Sequence, residues 1–127
     1  MGWAIMRQEI IFRDEDFLDV DEYAQRIDGG YAKITTFSYH FHPVRSGSLR
    51  EWRIDFKDND LHVNPDEGHN KHLEPDKVPL NVRNFNLYLT LILTTLYMSK
   101  RVYPFEAGAE AVYRLPLENG RRRLNGA

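Results

Sequence analysis

All five histidines of this 127-residue chain fall between positions 40 and 72. His62, His69 and His72 lie within eleven residues, among Asp58, Asp60, Asp66, Glu67, Glu74 and Asp76. An imidazole with an ordinary pKa of ~6.5 exists in both protonation states near neutrality, so a histidine pair can supply a base and an acid together. Cleavage of RNA without a metal needs just that pair. One group takes the 2′-hydroxyl proton, the other protonates the leaving 5′-oxygen, and a cation steadies charge on the phosphate. His69 and His72, three apart, share a face in a local helical turn. They are the candidate base and acid in unassigned order, with Lys71 between them. Arg53 and His62 are the candidate substrate-binding residues.

Two other readings use the same residues. His62, Asp66, His69 and His72 offer nitrogen and oxygen ligands of the kind that hold zinc or another divalent metal, whereas the acid–base reading needs no cofactor. Alternatively, the histidines solvate a polar loop, cap turns and pair with carboxylates. With no cysteine in the chain, a disulfide scaffold, a thiolate zinc site and a cysteine nucleophile are all excluded.

The elements that must position these residues read as α+β: a small antiparallel β-sheet packed by a long C-terminal helix in a single domain. Met6, Ile10 and Phe12 alternate with Arg7 and Glu9 as a strand does. Residues 14–27 read as a helix, with Phe17, Val20, Ala24 and Ile27 at helical spacing behind an acidic start. The alternative there is a strand entering a turn at Asp28-Gly29-Gly30. Tyr31 to His42 is a strand, and Arg50 to Phe56 pairs with it as a hairpin, Trp52, Ile54 and Phe56 facing one way. His40 and His42, two apart, point to the same face. Residues 58–81, with Pro65, Gly68, Pro75 and Pro79, read as one long irregular loop. Asn81 to Lys100 is long enough to favour a helix, with Asn84 as its cap and Phe85, Tyr88, Leu89, Ile92 and Leu96 as its apolar face. Ala111 to Leu117 reads as a short edge strand. The domain is expected to span 1–105, with 106–127 as a C-terminal extension.

A net charge of −2 hides a gradient. Residues 1–30 carry eight acidic and three basic residues, whereas residues 101–127 carry five arginines against three glutamates. Arg121-Arg122-Arg123 is a block able to bind phosphates or an acidic partner, or else a solvated tail. Either charged end would serve a non-enzymatic interaction module, such as a phage- or plasmid-borne inhibitor. The longest apolar run, Phe85 to Met98, falls short of the ~18 residues a membrane span requires. Met1 to Arg7 lacks the pattern of a signal peptide. The expected location is the cytoplasm, with no membrane partner.

Tyr39-His40-Phe41, Trp52-Arg53-Ile54-Asp55-Phe56, Asp58-Asn59 and Gly68-His69-Asn70-Lys71-His72-Leu73, followed by a helix from Phe85 to Arg101, carry a family resemblance. Over residues 31–101 the chain resembles the TumE-type toxins of toxin–antitoxin modules. The stretch from His62 to Gly68 is longer than that pattern, and the N-terminal third and the arginine-bearing tail have no counterpart in it. The resemblance implies a growth-inhibiting endoribonuclease with a protein antitoxin as partner and RNA as substrate, and a homodimer is a further assembly to test. It gives an active-site role to His69 and His72, with Lys71 beside them.

Overall fold

The computed structural model describes residues 3–12, 15–27, 29–30, 32–44, 49–65 and 73–126. Two-residue alternation is the dominant local signal up to residue 65, and it folds as five strands, with a register shift between Tyr23 and Ala24 in the second. These are β1 (Trp3–Ile11), β2 (Phe17–Arg26), β3 (Ala32–His42), β4 (Trp52–Lys57) and β5 (Asp60–Pro65). Each pairs antiparallel with its neighbour in sequence, so the sheet runs in the order β1-β2-β3-β4-β5. The chain divides into two compact units, residues 1–73 with the sheet and residues 74–127 with two helices, and its class is α+β.

Register sorts the sheet residues by parity. Leu18 stands opposite Phe41 and Phe41 opposite Trp52. Val20, Tyr39, Ile54 and Val63 form the next row across four strands. All seven side chains are fully buried, giving the sheet one closed face. At about 1.5–3 kcal/mol for each large apolar side chain removed from water, this face is the main source of the unit's stability. Tyr39 is kept on it by donating its hydroxyl to Glu22. Burial and the Glu22 carboxylate both push the phenol's pKa upward.

Short-range chemistry fixes the corners. Asp58 and Asn59 both take positive φ, 54° and 62°, as the two-residue turn between β4 and β5 requires. At the β1–β2 corner the fully buried Asp16 accepts a hydrogen bond from the Val44 amide at 2.7 Å, which ties the corner to the end of β3. After β5 the chain returns to the sheet at Leu73, whose backbone exchanges two hydrogen bonds with Val63.

In the second unit, α1 (Leu87–Lys100) starts at Asn86, whose side chain accepts from the Leu89 amide at 2.9 Å. It ends at Arg101 in the left-handed region, where the amide bonds back to Tyr97. Buried Thr90 and Thr94 donate their hydroxyls to carbonyls four residues back, which satisfies them inside an apolar helix. α2 (Glu110–Leu124) lies against α1 closely enough that a Cβ on Gly120 would meet Ile92 Cδ1 at 2.7 Å. The Arg121 guanidinium donates to the carbonyls of Asn81 and Arg83 and lies over the Phe85 ring.

Five expectations need correction. Residues 17–26 form a strand, because Asp19 and Asp21 alternate with buried Leu18 and Val20; a helix would scatter those carboxylates around its surface. Residues 58–81 are not one irregular loop, since they contain β5 and a 3-10 turn at Pro75–Lys77. Residues 111–117 lie within α2, as does the arginine block, whose positive charge in the last turn suits the negative end of the helix. The cap of α1 is Asn86, while Asn84 sits at φ 58° in the turn before it. The buried stripe of α1 runs through Leu89, Leu93 and Tyr97, leaving Tyr88 exposed.

Candidate functional site on the open sheet face

Residues of the other parity form the sheet's second face, and they are mostly polar. One cross-strand row reads Glu9, Asp19, His40, Arg53, Asn64. The adjacent row reads Arg7, Asp21, Ser38, Asp55, His62. The three described histidines therefore share this face with Arg53, and the same alternation that buries the core sets them there.

Two clusters stand out. In the first, Nε2 of His40 lies 3.0 Å from Oε2 of Glu51, and the His40 and His42 rings are 3.8 Å apart between centroids. Nε2 of His42 lies 4.0 Å from Asp19 Oδ2, and Phe17 stacks on the His42 ring at 4.6 Å. Burial, and then the nearby His40, hold the His42 pKa below its ordinary value, although Asp19, Glu51 and Glu9 pull the other way. The lowered pKa favours the neutral imidazole, whose ring nitrogen can act as an acceptor or ligand.

In the second cluster, Asp55 Oδ2 accepts from Arg53 Nε at 2.7 Å and from Asn64 Nδ2 at 2.9 Å. These bonds fix the Arg53 guanidinium on the face. Asp55 Oδ1 and Asn64 Oδ1 are buried with no hydrogen-bond partner among the described residues. Two acceptors left in this state cost free energy until a donor reaches them. His62 stands opposite Asp55, and its Nε2 lies 3.3 Å from Asp60 Oδ2.

Of the residues singled out from sequence, His62 and Arg53 are thus brought together as diagonal neighbours on β5 and β4. Cross-strand diagonals lie about 7–8 Å apart, within reach of one phosphate-sized group. His69, Lys71, His72 and Asp66 lie outside the described residues. The sequence reading placed His40 and His42 on one face but missed Glu51, Asp55 and Asn64. Glu51 shares the odd numbering of Arg53 and Asp55, a parity signal that was available in Arg50 to Phe56. Its approach to His40 depends on the β3–β4 pairing, which the sequence does not state.

Elsewhere, Tyr88, Leu91, Ile92, Thr95, Leu96 and Pro116 line an open hollow of about 400 Å³ on the helical unit. Its walls are apolar and offer no titratable group other than the Tyr88 phenol, so it is not a site of acid–base chemistry. Among the described residues no helix is long and apolar enough to cross a membrane. Compared with known proteins, the chain matches no family model, no curated protein and no solved structure.

Proposed function

We propose that this chain is the toxin-like member of a toxin–antitoxin module and cleaves RNA without a metal. The observation that carries the reading is the diagonal placement of His62 and Arg53 on the open face, on strands β5 and β4. In sequence, β5 leads into Gly68-His69-Asn70-Lys71-His72, the segment that resembles the TumE-type toxins. His69 and His72 serve as base and acid, and the cations of Arg53 and Lys71 stabilise the phosphate as charge builds on it. Asp55 holds Arg53 by accepting from its Nε, and His62 contacts the substrate.

The test is cleavage of labelled total RNA by the full chain, with and without EDTA, beside His72→Ala and His62→Ala. Cleavage should survive EDTA and fall by about 10²–10⁴ in His72→Ala, the usual share of one acid or base. His62→Ala should raise KM more than it lowers kcat. Cleavage by His72→Ala at the wild-type rate overturns the assignment of roles, and cleavage abolished by EDTA overturns the metal-free chemistry. A folded protein that cleaves nothing leaves the non-enzymatic interaction module as the reading.

A further inference from the structure

His40, His42 and Glu51 take no part in that proposal, yet they form a close group of ligand-type atoms on the open face. One ligand atom from each, a ring nitrogen or a carboxylate oxygen, lies within 4.8 Å of the others, and all three residues are half-buried. Tetrahedral zinc, with bonds of about 2.0–2.2 Å, sets its ligand atoms about 3.4 Å apart, so atoms within 4.8 Å of one another must draw closer to hold the ion. The backbone supports this approach. His40 and His42 come from alternate positions of one strand, and Glu51 is the residue just ahead of its partner strand, with the same parity as Arg53. Phe17 stacked on His42 restricts the ring's rotation.

Charge favours a cation. Glu51 and Asp19 flank the two imidazoles, with Asp19 Oδ2 4.0 Å from His42 Nε2. The two imidazole rings are tilted by 39° with centroids 3.8 Å apart, close enough for one divalent ion to take a nitrogen from each. We infer that His40, His42 and Glu51 bind a divalent transition metal of the zinc class, through two imidazoles and one carboxylate, with water in the fourth position. Two histidines and one carboxylate form a borderline-soft ligand set that suits zinc over magnesium or calcium. It shares no residue with the set His62, Asp66, His69 and His72 considered from sequence.

The experiment is calorimetric titration of zinc chloride into the full chain after EDTA has been dialysed away, repeated with cobalt(II) while its visible absorption is followed. One zinc per chain is expected, together with the intense cobalt bands of a tetrahedral site. His40→Ala should weaken binding by about a hundredfold, one ligand's share of a site of this size. Glu51→Gln preserves side-chain volume and should weaken zinc in the same direction with an unchanged circular dichroism spectrum, so a folding defect in His40→Ala would not obscure the result. His62→Ala should bind zinc as the wild type does. No zinc bound by the folded wild-type chain overturns the inference, as does binding kept in Glu51→Gln and lost in His62→Ala. RNA cleavage is read separately, so failure of either proposal leaves the other standing.

Discussion

The two faces of the sheet are made by the same strands and differ in every physical respect. The closed face stacks Leu18, Val20, Tyr39, Phe41, Trp52, Ile54 and Val63 with no exposure at all. The open face interleaves acids, histidines and Arg53, all partly solvated. One residue of register separates them, so the positions that hold the fold and those that offer chemistry are distinct sets on shared backbone. Substitutions on the closed face should therefore cost more stability than most substitutions on the open face.

The largest expected effect tests the closed face. Trp52→Ala should cost about 3–5 kcal/mol, the usual consequence of emptying a buried aromatic site, read as a fall in urea midpoint. His62→Ala, on the open face, should stay within about 1 kcal/mol of wild type in the same assay. If the two variants lose similar stability, the division between the faces fails.

Asp55 sharpens the comparison, because it is the open-face residue with the most structural work. Asp55→Ala removes the acceptor of both Arg53 and Asn64 and should cost about 1–3 kcal/mol in chemical denaturation. That is an intermediate value, below Trp52 and above His62.

The smallest effect concerns Tyr39. Its folded-state pKa is raised, so above pH ~10 the unfolded chain releases a proton that the folded chain keeps. Stability should therefore be intact below that pH and decline as pH rises through the alkaline range. Tyr113, whose pKa burial also raises, contributes to the same slope. Tyr39→Phe should make the alkaline slope shallower without abolishing it, which thermal melts at pH 9 to 11 would show.

How far the sequence revealed this arrangement depended on which local signals competed. β3 and β4 were legible because aromatic and β-branched residues alternate there without interruption, and α1 because of its length. β2 was obscured by carboxylates at Asp14, Glu15 and Asp16, which resemble the start of a helix, although Leu18 and Val20 already marked the closed face. β5 was hidden by Pro65 and by His62 and Asn64, polar residues that belong to an open face. α2 was hidden by Pro116 and Gly120, both of which ordinarily break helices; Gly120 is tolerated because Ile92 and Leu89 occupy the space a side chain would need. The shared face of His40 and His42 followed from their spacing alone. The group they form with Glu51 did not, because convergence across strands is set by register.

The unbroken strand order has a kinetic consequence. Every pairing in the sheet joins sequence neighbours, so no long loop must close before contacts form, and the fold has little of the topological delay common in all-β proteins. The two-residue Asp58–Asn59 turn makes the β4–β5 hairpin the cheapest to close, on the order of 1–10 μs for an element of this kind. If the sheet grows outward from this hairpin, damage near the turn should slow folding, while damage in β1 should mainly hasten unfolding.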